Sequence, residues 1–165
     1  MNAGAYGSET WDIVTSVKVL NRSGECTNKL KDAFIIEYRN VNLANDEWFI
    51  SAELQLEPDI DKSALRRINQ LLENRALSQP LGQASCGSVF RNPDDDHAAR
   101  LIEKSGLKGF CIGKACVSDK HANFIINKGG ATANDIEALI IHVMEVVKHD
   151  HGISLMPEVK IVGEQ

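Results

Sequence analysis

No apolar run in the 165-residue chain approaches the roughly 20 residues needed to cross a bilayer. A membrane-spanning helix is therefore excluded from the reading. The 18 Lys and Arg residues are scattered and outnumbered by 23 Asp and Glu, for a formal charge of -5. That distribution carries no basic patch, so nucleic acid is not expected as a partner. The opening stretch, MNAGAYGSETWD, lacks both a basic n-region and an apolar h-region, so it does not read as a signal peptide. The four cysteines, Cys26, Cys86, Cys111 and Cys116, form no C-x-x-C pair, which argues against a zinc ribbon. In a reducing cytoplasm all four are expected as free thiols. His149 and His151 fall near a helix end without a ligand-spaced partner, so they read as solvated histidines rather than a metal site. Three common signatures are missing as well: G-x-x-x-x-G-K-[ST], G-x-G-x-x-G and G-x-S-x-G.

The residues present describe a globular α+β chain of one domain or a small pair. Hydrophobic residues make up 43% and charged residues 25%, an ordinary balance. WDIVTSVKVL (11–20) predicts a strand, Asn21–Gly24 a turn, and Phe34–Arg39 a short strand. In the next segment Trp48, Ile50, Ala52, Leu54 and Leu56 alternate with Phe49, Ser51, Glu53, Gln55 and Glu57. This predicts a half-buried strand with the first set on one face. The period changes at Pro58: Ile60, Leu65, Ile68, Leu71 and Leu72 predict a connecting helix over 60–76. Asp94–Asp96 precede a helix over 97–105 that stops at Gly106. Short strands follow at Val117 and Phe124–Ile126. Thr132 caps a helix whose apolar face is Ile136, Leu139, Ile140, Val143 and Val147, ending at Gly152. ISLMPEVKIV (153–162) predicts a last strand, with Pro157 at an edge or bend.

Four stretches could carry chemistry. In SCGSVFRNP (85–93), Gly87 permits a backbone that few residues adopt. Ser88 brings a hydroxyl, and Arg91 and Asn92 could take a phosphate or a sugar hydroxyl. Spacing alone favours an ordinary Ser- and Asn-rich loop. Cys86 is a possible nucleophile, but nothing in the sequence lowers its pKa. Glu158, in LMPEVKIV, is either on a solvated face or held for a purpose. Arg39, after an apolar strand, is most simply a surface or ion-paired residue. Gly129–Gly130 reads as a turn into a helix cap.

Taken together and in order, MNAGAYG (1–7), Tyr38-Arg39, SCGSVFRNP, GLKG, VSDKHANF (117–124) and LMPEVKIVG (155–163) resemble the UDP-N-acetylenolpyruvoylglucosamine reductases, the UDP-N-acetylmuramate dehydrogenases. The likeness runs over nearly the whole chain and is densest from 75 to 163. It implies an FAD- and NADPH-dependent cytoplasmic oxidoreductase of peptidoglycan synthesis, acting on UDP-N-acetylglucosamine enolpyruvate. By motif match it implies Ser88 as the proton donor, Glu158 as the assisting carboxylate and Arg39 as the group that steadies the substrate carboxylate. It places Asn92 and Arg75 at the substrate, and Asn2, Ala3, Gly4 and Ala5 against the flavin. Ser78 stands where some members carry Lys.

The resemblance further implies that the chain starts inside the flavin domain, and that most FAD diphosphate and adenine contacts belong to a preceding portion. The expected fold is therefore the back of a flavin-binding α+β domain over 1–58, a connecting helix over 59–79 and a small α+β substrate-binding domain over 80–165. The alternative reading is a UDP-sugar-binding module without catalysis, or an inactive remnant.

Overall fold

The computed structural model describes residues 2–163. The chain forms two units, divided between Ser63 and Ala64. No described helix is long and apolar enough to cross a membrane.

The first unit opens with a tight hairpin, β1 (Gly4–Ala5) and β2 (Ser8–Glu9), turning at Tyr6-Gly7. A single 3-10 turn, Thr10–Asp12, follows. The sequence predicts a strand there, but the Glu9 amide donates to Asp12 Oδ2 at 2.7 Å and fixes a helical turn. Trp11 is thereby sent into the core. β3 (Val14–Asn21) is the centre of an antiparallel sheet of order β4-β3-β7, flanked by β4 (Cys26–Leu30) and β7 (Glu47–Leu54). β5 (Ile36–Glu37) and β6 (Asn40–Val41) form a second small hairpin around Tyr38-Arg39. Trp11, Val14, Val17, Val19 and Val41 are the buried core. The Trp11, Phe34 and Phe49 rings meet within 5.1–5.7 Å, distances favourable for tilted aromatic packing.

The alternation read in β7 is real as sequence but not as a face. Phe49 pairs with Val19, yet Ser51 pairs with Lys18, so Ile50 is an extra residue on β7. An inserted residue reverses which side the following residues present. Trp48 consequently lies opposite Leu20, while Ala52 and Leu54 lie opposite the core residues Val17 and Val14. Phe49, expected on the polar side, packs into the core. Trp48 and Ile50 stay about half exposed.

The second unit begins with α1 (Ala64–Ser78), shifted toward the C-terminus relative to the expected 60–76. None of its residues is buried. α2 (Ala98–Lys104) and α3 (Ala133–His151) pack with a three-stranded antiparallel sheet, order β10-β9-β8. Its strands are β8 (Cys111–Ile112), β9 (Ala115–Val117) and β10 (Ile125–Asn127). Leu101 and Ile102 of α2 and Leu139, Ile140, Val143 and Val147 of α3 share one core with Val117 and Ile125. The capping expectations for α3 hold. Thr132 Oγ1 accepts from the Asp135 amide, and Gly152 takes the left-handed conformation, φ 71°.

Two expectations fail in this unit. Residues 153–162 do not form a strand; only Pro157 makes a bridge, with Phe90. Proline lacks the amide that would continue a ladder. Nor are all four cysteines free. Cys111 and Cys116 are direct partners across the β8–β9 hairpin, with Cα atoms 4.1 Å apart, and they form a disulfide. Cys26 and Cys86 are free and exposed.

Candidate functional site

The loop that carries Ser88 is held on two sides. On one side the Val89 amide donates to Asn123 O at 2.9 Å, and Ser88 bridges Phe124. On the other, the Arg91 amide donates to Met156 O at 2.9 Å and the Glu158 amide to Val89 O at 2.8 Å. Residues 88–91 thus run between the end of β10 and the C-terminal tail. This pairing brings Ser88, Asn92 and Glu158 into one neighbourhood. Val89 and Phe90 are buried anchors, whereas Ser88 is exposed and Glu158 half-buried. The Ser88 side chain makes no hydrogen bond among the described residues. Gly87, at φ 86°, supplies the turn into the loop, a conformation that glycine adopts without the Cβ penalty.

Asn92 does local structural work. Its Oδ1 accepts from the Ala98 amide at 3.1 Å and so satisfies the first amide of α2. Of the three acids expected to start that helix, Asp96 pairs with Arg100 and with the His97 amide. Those hydrogen bonds, Arg100 first, hold the Asp96 carboxyl down at about 2. Arg91 has a buried Nε without a hydrogen-bond partner among the described residues. An ionised group with an unpaired buried N–H is costly to keep, which makes Arg91 a candidate for an anionic acceptor. Arg75 lies exposed on α1, its Nε donating to Gln79 Oε1 at 3.0 Å.

The remaining candidates belong to the first unit. Arg39 sits in the β5–β6 turn with a left-handed backbone, φ 58°. Its Nη2 donates to Gly4 O at 3.0 Å, and its Nη1 reaches Asn2 O and Glu9 Oε1 at 3.4 Å each. The guanidinium also lies 4.7 Å from the Tyr38 ring, within cation–π range. Arg39 is therefore an oriented cation, not a solvated one. Glu9, its partner, has no role in the sequence reading. Its side-chain partners Asn2 and Arg39 stand seven and 30 positions away.

A flavin is implied by the resemblance, and Asn2, Ala3, Gly4 and Ala5 are the residues assigned to it. The Asn2 side chain is already committed. It is buried, donates to Glu9 Oε2 at 2.5 Å and Glu37 O at 3.3 Å, and accepts from the Trp11 amide at 3.1 Å. Ala3 O accepts from Thr10 N and Oγ1. A Cβ on Gly4 would stand 2.8 Å from Ser8 O and 3.0 Å from Arg39 Nη1, so glycine is required there by the unit's own packing. What remains for a ligand is the backbone edge of a fixed hairpin, from exposed Ala5 to the Tyr6-Gly7 turn. These residues fit a flavin as a backbone edge rather than as a set of side-chain ligands.

The family model for the UDP-N-acetylenolpyruvoylglucosamine reductase C-terminal domain matches residues 79–162. A protein named UDP-N-acetylenolpyruvoylglucosamine reductase from Alkalilimnicola ehrlichii is 52% identical over 164 residues, covering 99% of this chain and 55% of the relative. One of the same name from Coxiella burnetii is 53% identical over 166 residues, covering 99% and 52%. The chain spans about half the length of the curated relatives it matches. The crystal structure of UDP-N-acetylenolpyruvylglucosamine reductase from Thermus caldophilus superposes with a TM-score of 0.81 at 30% identity, over 97% of this chain and 57% of that one. The chain belongs to the UDP-N-acetylenolpyruvoylglucosamine reductase family.

Proposed function

We propose that this chain carries the proton-donating and substrate-orienting part of a cytoplasmic oxidoreductase of peptidoglycan synthesis. The reaction reduces the enolpyruvyl ether of UDP-N-acetylglucosamine to the lactyl ether of UDP-N-acetylmuramate. FAD, reduced by NADPH, supplies the hydride when bound. The backbone edge from Ala5 to the Tyr6-Gly7 turn is the stretch of this chain that would lie against it. The single observation that carries the reading is the fixed position of Ser88, exposed between two paired segments with Glu158 on one of them.

The chemistry suits those residues. Hydride addition at the terminal alkene carbon leaves an electron pair on the carbon that bears the carboxylate. That carbon is basic enough to take a proton from an alcohol, and Ser88 Oγ–H is the donor. Glu158 orients the hydroxyl and shares the proton demand. Arg39 is assigned to the substrate carboxylate, where charge accumulates. A pre-oriented cation of this kind contributes on the order of several kcal/mol in such sites, and the carbonyls of Asn2 and Gly4 hold it oriented. Arg75, Asn92 and Arg91 are assigned to the UDP-sugar, with the unpaired Arg91 Nε favouring an anionic group. The domain roles follow: residues 1–58 serve the flavin, 59–79 connect, and 80–165 bind substrate.

The test is a pair of half-reactions in a flavin-loaded protein restored to the full length of its relatives. Ser88→Ala should leave flavin reduction by NADPH unchanged and slow its reoxidation by the enolpyruvyl substrate at least ~100-fold, the lower range for a lost general acid. Reoxidation at the unaltered rate would remove Ser88 as the donor.

A further inference from the structure

The Asn123 side chain behaves like a piece of β-ladder. It is 4% exposed. Its Oδ1 accepts from the Phe90 amide at 2.9 Å, and its Nδ2 donates to Phe90 O at 2.8 Å. One primary amide thus satisfies both backbone groups of a single buried residue two positions from Ser88. The Asn123 carbonyl adds a third bond, from the Val89 amide at 2.9 Å. The next residue, Phe124, is the bridge partner of Ser88.

The position of Asn123 is itself fixed. Its amide donates to His121 Nδ1 at 3.3 Å, and the His121 amide is in turn 3.3 Å from Ser118 Oγ. Burial, the largest influence, lowers the pKa of His121, with Lys108 acting in the same direction and Glu103 opposing it. That shift favours the neutral ring in which Nδ1 can accept. The tail supports the other edge of the loop through Met156 and Glu158.

We propose that Asn123 is the positioning residue for Ser88. Its amide locks the Val89–Phe90 backbone in register and so sets where the Ser88 hydroxyl stands. The inference deepens the reductase reading and rests on it for its functional meaning, but the lock itself can be tested without turnover. An asparagine is needed because the clasp takes one acceptor and one donor on the same planar group. A carboxylate has only acceptors, whereas a protonated carboxyl regains the donor.

The experiment is amide hydrogen exchange on the whole chain, comparing the native protein with Asn123→Ala and Asn123→Asp. In Asn123→Ala, protection of the Phe90 amide should fall roughly tenfold or more, the scale of one to two buried hydrogen bonds. Amides in the middle of α3 should keep theirs. In Asn123→Asp, protection at Phe90 should be weak at neutral pH and recover as pH falls through the pKa of the introduced carboxyl. The native profile, run in parallel, accounts for His121. Uniform loss over α3 and Phe90 would reduce Asn123 to a general stability residue and overturn the proposal. So would unchanged protection at Phe90, or an Asn123→Asp variant without pH-dependent recovery. Failure of the reductase reading would show elsewhere, in a protein restored to the full length of its relatives whose reduced flavin the enolpyruvyl substrate does not reoxidise.

Discussion

The two units hold candidate site residues by different means. In the first, a small core of Trp11 and four valines is supplemented by polar latches. Asn2, Glu9 and Arg39 tie the opening hairpin to the β5–β6 turn through side-chain bonds that cross 30 to 35 residues of sequence. In the second, two helices bury leucines and isoleucines against a short sheet, and the Asn123 side chain clasps the loop that carries Ser88. The difference implies that Arg39 owes its orientation to a few hydrogen bonds, while Ser88 rests on an apolar platform through Val89 and Phe90. Polar latches fail one bond at a time; a packed core fails together.

The largest expected effect contrasts the two cores directly. Trp11→Ala should cost the first unit about 3–5 kcal/mol, and Leu139→Ala should cost the second about 2–5 kcal/mol. Residue-resolved amide exchange would show each loss confined to its own unit. If either change stripped protection from both, the units would be one cooperative structure and the comparison would collapse. Asn2→Ala is the next test. It leaves the Trp11 amide and Glu37 O without their partner, so the first unit should lose about 1–3 kcal/mol in denaturant unfolding without any ligand present. A variant as stable as the native chain would return Asn2 to a ligand-binding role alone.

The comparison also separates what the sequence made legible from what it did not. α3 was readable because its cap, apolar stripe and terminal glycine are all local signals that agree. The β7 face was not, because the bulge at Ile50 is set by pairing with β3 and leaves no mark in β7 itself. The same reason hid the disulfide. Cys111 and Cys116 are separated by five positions, and only the hairpin register makes them partners. Residues 153–162 have strand composition but meet a neighbour at a single bridge. At the site, Ser88, Glu158 and Arg39 were picked out by resemblance rather than by spacing. The structure then showed the pairing of 88–91 with 156–158. Asn123 carries no mark in the sequence beyond its place in VSDKHANF, because a clasp on a residue 33 positions away has no local signature.

Smaller effects sharpen the account of the second unit. Reduction of Cys111–Cys116 should destabilise it by about 2 kcal/mol, the loop-entropy value for so short a ring. Thermal melting with and without a thiol reductant measures this. No change would mean that register and packing alone hold the hairpin. The smallest effect belongs to Asp96. Its carboxyl, held down at about 2 by Arg100 and the His97 amide, has a lower pKa folded than the ordinary ~3.9. Its contribution is complete above pH ~4 and is lost as pH falls toward 2. Exchange at the first turn of α2 should therefore rise across that window in the native chain and stay flat in Asp96→Asn.

The central claim is that residues 88–92 and their paired tail face the UDP-sugar substrate. The most direct measurement is an amide NMR titration of the chain with UDP-N-acetylglucosamine enolpyruvate. The account predicts saturable shifts concentrated at Ser88–Asn92 and Met156–Val159, with β3 and β4 unmoved. Shifts confined to other elements, or none at saturating ligand, would contradict it.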